Sequence, residues 1–444
     1  MGARCFCLAA LRRDPCSGHS CSRPGVRQAA STPCSQCRRP PPQYAAEVGV
    51  VRGRGSQGAP FDAWFDAWRT VPRAAQPVLR ELVIRGPQSR TALARRLGLS
   101  PGSLTRLAKP LVETGLVVER AVAHDPVHGR PTRPLEVVAE GLHFLGFKIT
   151  SDSVYAVLTD LRARVVAQQS APLMDFSPAT VVARIGELAD TLVATRGRPP
   201  VAAGLALGGD GHAPTPVGES ELLDSGLLGW EQVPLRRLAS ERLGISCVLE
   251  NDVTALAHLQ WFGNAGDTPD CALLSIGDGV GYALTIHGRP VRITEADIGL
   301  FGHQRLAQDG PLCPAGHRGC AVSYITTRAV VMAAAQGLGR FPAYEEVLDL
   351  AATGDPVCSQ AVRQAAWALG VLIANISANT MVKSVTLAGE SAGIADAARA
   401  DLESGITARR GSPEGITITV MRHDFHEWAR GAAVVAIREH VSAL

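Results

Sequence analysis

The feature that most constrains the fold is a run of three short helical patterns between residues 73 and 115. Each pattern carries apolar residues at helical spacing and is closed by a glycine. Two segments that alternate as strands do follow at 116–120 and 135–138, separated by a polar loop too long for a tight hairpin. This order of elements is typical of a winged helix-turn-helix domain.

Serines and glycines mark the ends of the second and third helical patterns. Ser89 and Ser100 precede them, and a serine in this position accepts a hydrogen bond from an amide of the first turn. Pro101 suits the first helical position because it has no amide hydrogen to leave unpaired. Gly98 and Gly115 follow the patterns, where a backbone with positive φ ends a helix. The sequence therefore predicts one helix between Ser89 and Gly98 and another between Ser100 and Gly115.

The third helix carries the side chains that a recognition helix needs. In helix-turn-helix proteins the start of this helix meets base edges in the major groove. Ser103, Thr105 and Arg106 are placed to reach bases or phosphates, and Lys109 is placed to reach a phosphate. We therefore predict that this helix binds double-stranded DNA. A small polar domain, or a winged helix that binds protein, remains the alternative.

The loop between the two strands predicts a second DNA contact. Its tip reads Gly129-Arg130-Pro131-Thr132-Arg133, in which glycine and proline favour an extended arm. Arginine enters a narrow minor groove because the negative potential there attracts it. We therefore expect Arg130 and Arg133 to contact DNA from the wing.

Length and composition indicate a protein of more than one domain. With 444 residues, 46% hydrophobic and 19% charged, the chain can form two or three folded units. The net charge of +3 is too small to indicate nucleic-acid binding without the local pattern above. No apolar run reaches the roughly 18 residues of a membrane span, so we expect a cytoplasmic protein.

Composition and apolar periodicity divide the chain into three parts. Residues 1–72 are rich in Arg, Pro and Cys and lack apolar periodicity, so we expect disorder there. The alternative is that the start codon was placed too far upstream, so that these residues are not part of the protein. Residues 73–140 form the predicted winged helix-turn-helix domain. From 142 to 444 helices and strands alternate, which predicts an α/β fold.

Several motifs in this last part resemble those of the ROK family, which joins repressors and sugar kinases. The motifs are Glu250–Ala257, Ile276–Gly281, Gly302-His303, Cys313–Cys320 and Leu387–Glu390. The likeness covers residues 73–444. It implies a two-lobed, actin-like ATPase fold of the ribonuclease-H-like type, with a sugar or sugar phosphate bound between the lobes.

The sugar side of the implied site is partly retained. In the family's kinases the residue matching Asp252 is the general base, and the residue matching Asn251 holds a sugar hydroxyl. The residue matching His303 also touches the sugar, but two family glutamates are replaced by Leu300 and Val322. The resemblance therefore implies ligand binding through Asn251, Asp252 and His303. An Asn-Asp pair before a helix can also serve as an N-cap alone.

The phosphate side of the implied site is altered. Where the family's kinases have Asp-Ile-Gly-Gly-Thr, this chain has Lys148-Ile149-Thr150-Ser151-Asp152, without the glycines that let amides approach phosphate. In the second glycine loop Asp278 replaces a threonine and would repel phosphate. We therefore expect no ATP binding and no catalytic residue, with Asp252 a vestigial base.

A zinc site is implied by the cysteines and histidines, although its ligand set is incomplete. The family uses one histidine and three cysteines, and here Ala315 replaces the middle cysteine. His303, Cys313 and Cys320 remain, and His317 is close enough in sequence to be the fourth ligand. The alternative is a metal-free loop with two buried thiols.

These features together predict a DNA-binding regulator of carbohydrate or secondary-metabolism genes. Its kinase-like domain would sense a sugar or sugar phosphate without catalysis. Because two recognition helices meet symmetric half-sites, we expect a homodimer or homotetramer. The alternatives are an ATP-dependent sugar kinase with an appended winged-helix domain, and a scaffold whose winged helix binds protein.

Overall fold

Four helices and two strand pairs begin the part of the chain that the computed structural model describes. The described residues are 61–120, 123–124, 131–195, 198–208, 222–263, 269–291 and 298–444. The first elements are α1 (Phe61–Arg69), α2 (Gln76–Arg85), α3 (Arg90–Leu97), α4 (Pro101–Glu113), β1 (Val117–Glu119), β2 (Ala123–His124), β3 (Pro131–Thr132) and β4 (Leu135–Val137). Both strand pairs, β1 with β4 and β2 with β3, are antiparallel. This confirms the winged helix-turn-helix, and part of the predicted loop is paired as β2 and β3.

The predicted helix ends are confirmed at the level of individual hydrogen bonds. Ser89 Oγ accepts from the amide of Ala92, and Ser100 Oγ accepts from the amide of Ser103, both at 3.2 Å. Gly98 ends α3 with φ of +64°, a left-handed conformation that a glycine adopts without a Cβ clash. The short turn between α3 and α4 therefore follows from local sequence alone.

Helix α1 corrects the predicted disorder of residues 1–72. Trp64 and Trp68 of this helix are 6% and 2% exposed, and their rings stack with centroids 5.6 Å apart. The prediction is wrong for 61–72 because two tryptophans one helical turn apart create a buried face in a segment that otherwise looks polar. The rest of the predicted disordered segment, 1–60, lies outside the described residues.

The first lobe is a five-stranded sheet with helices on both faces. After a short 3₁₀ turn its elements are β5 (His143–Ile149), β6 (Ser153–Asp160), β7 (Val165–Pro172), α5 (Pro178–Ala194), β8 (Ala202–Leu207), β9 (Leu223–Ser225), β10 (Trp230–Val233), α6 (Leu235–Leu243) and β11 (Ser246–Asn251). The strand order is β11-β8-β5-β6-β7. Strands β5, β8 and β11 are parallel, while β6 is antiparallel to both of its neighbours.

The second lobe repeats this arrangement. Its elements are α7 (Asp252–Trp261), β12 (Cys271–Ile276), β13 (Val280–Ile286), β14 (Arg289–Pro290), α8 (Ile298–Gly302), α9 (Val322–Ile325), α10 (Thr327–Leu338), α11 (Tyr344–Ala352), α12 (Pro356–Thr380), β15 (Ser384–Ala388), α13 (Ile394–Ala397), α14 (Arg399–Arg410) and β16 (Thr417–Val420). The last helix, α15 (Phe425–Ser442), returns to the first lobe. The sheet order is β14-β13-β12-β15-β16. Two sheets of the same design confirm the predicted actin-like fold.

Two glycines let the last helix, α15, lie directly on the first sheet. Gly146 in β5 and Gly204 in β8 are register partners. A Cβ on either glycine would lie 2.0 or 1.9 Å from the carbonyl oxygen of Ala429 or Ala432 in α15. Because such a distance is impossible, only glycine permits this approach, and the chain's C-terminus is held on the lobe nearest the winged helix.

Among the described residues, one helix is long and apolar enough to cross a membrane. This helix is α12, and 67% of its most apolar stretch is buried in the protein. It lies in the main core cluster of the second lobe, where it packs against α14. Burial in that core accounts for its apolar composition.

A half-buried histidine joins α1 to α15 and predicts a pH dependence. His440 stacks on Trp68 at 6.0 Å and meets Phe144 edge-on at 5.5 Å. Burial lowers the pKa of His440 below the ordinary value of about 6.5. Its stabilising contribution is therefore complete above about pH 6.5 and is lost as the pH falls through the lower, folded-state pKa.

We expect the free energy of unfolding to decline below about pH 6.5 and His440→Phe to flatten that decline, because phenylalanine stacks without titrating. Denaturant titrations of both proteins at several pH values between about 5 and 7.5 measure this. Parallel pH profiles for the two proteins would contradict a role for His440.

Candidate functional site

A cleft of about 400 Å³ is lined by residues of both lobes. Asn251 and Asp252 lie where β11 meets α7, and the glycine loop 277–281 joins β12 to β13 on the opposite side. His303 and Trp428 also line it. The structure thus brings together all three residues that the sequence predicts for ligand binding.

Asn251 caps helix α7 as well as lining the cleft. Its Oδ1 accepts hydrogen bonds from the amides of Val253 and Thr254, at 3.0 and 3.2 Å. The capping role considered from the sequence is therefore real. It uses the side-chain oxygen, so the contact that Asn251 can offer a ligand is through its amide nitrogen.

Asp252 is engaged by a residue that the sequence analysis did not assign to the site. Lys148, at the end of β5, donates from Nζ to Asp252 Oδ2. The two side chains are 5% and 14% exposed, and the ammonium also lies 5.5 Å from the ring centroid of Trp428. Asp252 Oδ2 is therefore already occupied by the Lys148 ammonium and is not free to contact a substrate hydroxyl.

The first loop of the cleft closes on itself rather than opening toward a phosphate. Thr150 Oγ1 donates to Asp152 Oδ1 at 2.7 Å and accepts from the amide of Ser153 at 3.1 Å. The amide of Thr150 donates to the carbonyl of Ser153 at 3.0 Å. These bonds form a tight turn between β5 and β6, in which the amides of Thr150 and Ser153 are already used.

The second loop carries two carboxylates where phosphate would have to approach. Asp278 is exposed at the tip, and its Oδ1 accepts from Thr327 Oγ1 at 3.2 Å. Glu390 lies over Gly277, since a Cβ on that glycine would be 2.0 Å from Glu390 Oε2. Glu390 was part of a motif noted in the sequence but was not predicted to line the cleft. Both charges repel an anion.

Two histidines and two cysteines converge beside the cleft. One nitrogen or sulfur atom from each of His303, Cys313, His317 and Cys320 lies within 4.8 Å of the others. His303 Nδ1 is 3.4 Å from Cys313 Sγ, and the amide of Cys313 donates to the carbonyl of His317 at 2.7 Å. Two soft sulfur and two imidazole ligands are a common tetrahedral set for zinc. The sequence-predicted residues, including His317, are therefore placed together.

The surroundings of the two thiols in this cluster shift their pKa values in opposite directions. Burial alone would raise the pKa of Cys313, but hydrogen bonds from the backbone of His317 and Ala315 and from the Cys320 thiol outweigh it and lower the pKa. Burial and the neighbouring Cys313 raise the pKa of Cys320. Cys313 is thus the thiol that more readily supplies a thiolate, the form that binds metal.

The predicted recognition side chains lie along one exposed part of α4. Arg106 and Thr105 are exposed, and the Thr105 hydroxyl donates to the carbonyl of Pro101 at 2.9 Å. Ser103 is half-buried, 3.0 Å from Ser100 Oγ. Lys109 is exposed and 3.7 Å from Glu113, a surface pair that costs little to exchange for a phosphate.

Of the wing residues predicted to contact DNA, Arg133 is exposed. Arg130 lies outside the described residues. DNA contact by both arginines stays a prediction.

A buried carboxylate at the base of the wing is a further feature that the sequence analysis missed. Glu136 in β4 has a side chain only 5% exposed, and it receives a hydrogen bond from Arg120. Arg162 and Arg164, from the turn between β6 and β7, lie 3.5 and 3.8 Å from its Oε1. Burial alone would raise the pKa of Glu136, but the bond and charge of Arg120 and the other arginine charges lower it. This cluster joins the wing to the first lobe.

Two family models match parts of the chain. A model of the ROK family matches residues 154–439, and a model of the MarR family matches residues 70–130. The xylose repressor of Caldicellulosiruptor bescii is 24% identical over 315 residues, which are 67% of this chain and 78% of that protein.

Two solved structures share the fold. A ROK family transcriptional regulator, described as a homologue of the E. coli MLC protein, aligns with a TM-score of 0.65 at 20% identity and covers 86% of this chain and 97% of that one. A ROK family glucokinase from Streptomyces griseus, in complex with glucose and AMPPNP, aligns with a TM-score of 0.55 at 20% identity, over 66% of this chain and 99% of that one. The regulator covers a larger share of this chain than the glucokinase does.

Proposed function

Because the chain belongs to the ROK family, we propose that it is a DNA-binding transcriptional regulator of carbohydrate or secondary-metabolism genes. The observation that carries this proposal is the capped, exposed helix α4 of a winged helix-turn-helix attached to a kinase-like fold. The similarity to a xylose repressor supports the same conclusion. The protein would act in the cytoplasm as a homodimer or homotetramer on a palindromic operator.

We propose further that the cleft senses a ligand without catalysing phosphoryl transfer. Three features support this: Lys148 engages the would-be base Asp252, the first loop is a closed turn, and carboxylates flank the second loop. The kinase-like fold alone does not separate the two activities, since glucokinases share it.

Purified protein is expected to release ADP from ATP no faster than buffer without protein does. This should hold with every sugar in a panel that includes glucose, xylose and N-acetylglucosamine. The reason is that the first loop is a closed turn, carboxylates flank the second loop and Lys148 occupies Asp252, so both phosphate binding and proton removal are impaired. A coupled ADP-release assay, with a ROK glucokinase as positive control, measures this. Sugar-dependent ADP release above background would instead support the kinase alternative.

For the cysteine and histidine cluster we propose a structural zinc site with His303, Cys313, His317 and Cys320 as ligands. The closed four-ligand set fits a structural ion, which would fix the loop beside the cleft. The departure from the family pattern at Ala315 is met by His317, whose ring centroid lies 5.5 Å from that of His303.

We expect about one zinc per chain in metal analysis of the purified protein, and a loss of most of it in His317→Ala. The matched control is His423→Ala, which removes an exposed histidine outside the cluster. Equal zinc content in the two variants would show that His317 is not a ligand.

The proposed function is tested by selecting fragments of genomic DNA on the immobilised full chain and sequencing those retained. A regulator is expected to enrich a small number of sites that share an inverted repeat, with half-sites spaced by about one helical turn or a multiple of it. Uniform recovery of the genome would contradict a sequence-specific regulator.

A further inference from the structure

From the contacts at the two ends of helix α7, we infer that Lys148 acts as a built-in occupant of Asp252 which an uncharged polyhydroxy effector displaces, and that α7 transmits the exchange to the winged helix. This inference rests on the proposed function of the cleft as a sensor. It assigns an effector class, a residue that controls access to the site and a route to the DNA-binding domain.

The first end of α7 lies in the cleft. Asp252 is the first residue of the helix and carries the ion pair with Lys148, while Asn251 caps the same end. A ligand that hydrogen-bonds to Asp252 must therefore compete with Lys148. Any change in that pair acts directly on the N-terminus of α7.

The second end of α7 lies against the winged helix. The Trp261 ring is covered by the guanidinium of Arg85, from the C-terminal end of α2, at 5.0 Å, and by that of Arg438 in α15 at 5.5 Å. Just beyond α7 the amide of Gly263 donates to the carbonyl of Ile84 in α2 at 2.8 Å. Helix α2 belongs to the DNA-binding domain, so α7 contacts that domain at one end and lines the cleft at the other.

The packing of α7 favours movement as one body. The helix has ten residues, which span about 15 Å. Its middle is so close to α15 that a Cβ on Gly431 would lie 2.6 Å from the carbonyl of Ala255. Because ten residues packed this closely leave little room for bending, we expect a change at one end of α7 to reach the other end.

The chemistry of the cleft defines the effector class. Asp252 accepts hydrogen bonds, so its new partner must bring donors such as hydroxyls, and Lys148, once released, needs an acceptor. Asp278 and Glu390 disfavour a phosphate in the same cleft. An uncharged polyol supplies both donors and acceptors and meets no repulsion.

The transmission step is tested by a double-mutant cycle on operator affinity. Lys148→Met removes the ion pair with little change in volume, and Trp261→Leu removes the contact with Arg85. We expect Lys148→Met to change the operator Kd about 5-fold or more in either direction, and less than about 2-fold when Trp261→Leu is present. An unchanged Kd, or the same change in both backgrounds, would overturn the inference.

Controls separate the route from damage to the fold. Lys383→Met removes an exposed lysine elsewhere and is expected to leave Kd unchanged. Asp252→Asn breaks the same pair from the other side and should reproduce the effect of Lys148→Met. Should Trp261→Leu not fold, Arg85→Met removes the same contact and completes the cycle.

A readout that needs no DNA distinguishes failure of this inference from failure of the proposed function. We expect Lys148→Met to change the hydrogen-exchange rate of the Gly263 amide, which is bonded to Ile84. If wild-type protein binds no specific DNA, the proposed function fails. An unchanged exchange rate at Gly263 would overturn the route whether or not DNA binds.

The effector class is tested by calorimetric titration of the full chain with D-glucose, D-xylose and glucose 6-phosphate. We expect at least one of the two uncharged sugars to bind, and glucose 6-phosphate to bind at least about 10-fold more weakly than glucose. Tighter binding of glucose 6-phosphate than of glucose, or no binding of either D-glucose or D-xylose, would overturn the assignment of an uncharged polyol.

Discussion

Glu136→Gln is expected to lower the free energy of unfolding by about 3 kcal/mol, the lower end of the range for removing one partner of a buried ion pair. The side chains of Glu136 and Arg162 are only 5% and 11% exposed, and the substitution leaves the Arg162 guanidinium without this carboxylate. The value is at the lower end because Arg120 and Arg164 are more than half exposed and remain hydrated. Denaturant titration at neutral pH measures the loss.

The same substitution should also loosen the wing from the first lobe. We expect faster hydrogen exchange in β4 and β1, because the pairs of Glu136 with Arg162 and Arg164 tie these strands to the turn between β6 and β7. The matched control is Glu346→Gln, which breaks an exposed pair with Arg340 and should change stability much less. Equal losses in the two variants would contradict a clamp at Glu136.

Arg106→Ala is expected to weaken operator binding by about 1 to 3 kcal/mol, or about 5- to 150-fold in Kd. Arg106 is exposed in the first half of α4, where a recognition helix meets base edges or phosphates. Fluorescence anisotropy with a labelled operator measures the change at fixed salt. Arg410→Ala removes the same charge from the surface of the second lobe and is expected to have little effect.

The salt dependence of the variant tells which contact Arg106 makes. A phosphate contact predicts weaker binding to all sequences and a salt slope reduced by about one, whereas a base contact predicts lost discrimination at one position. Equal affinities of Arg106→Ala, Arg410→Ala and wild type would contradict the assignment of α4 as the recognition helix.

Most of the winged helix could be predicted from the sequence because its signals are local. A serine before a helix, a glycine after it and apolar residues at helical spacing each depend on a few neighbours, and Ser89, Gly98 and Ser100 act as predicted. Helix α1 was missed although its tryptophans are one turn apart. Trp68 stacks on His440, which is more than 370 positions away in the chain, so the local composition pointed to disorder.

In the candidate site, only the residues that belong to a family motif could be predicted from the sequence. Asn251, Asp252 and His303 were named from a family resemblance, and the cleft does contain them. The ion pair of Lys148 with Asp252 joins residues 104 positions apart, so neither local periodicity nor spacing could give it. The sequence offers one signal for Lys148 itself, which is one of only three lysines and lies in the mostly apolar stretch His143–Ile149.

The measurement that tests the central claim most directly is an anisotropy titration of the full chain with a duplex from upstream of its own gene and a shuffled duplex. It is made at about 50 and about 200 mM salt. We predict binding to the native duplex at least about 1000-fold tighter than to the shuffled one, and weaker binding to both at the higher salt. Equal affinity for the native and the shuffled duplex would contradict a sequence-specific regulator if every site recovered by genomic selection is also bound no more tightly than its own shuffled control.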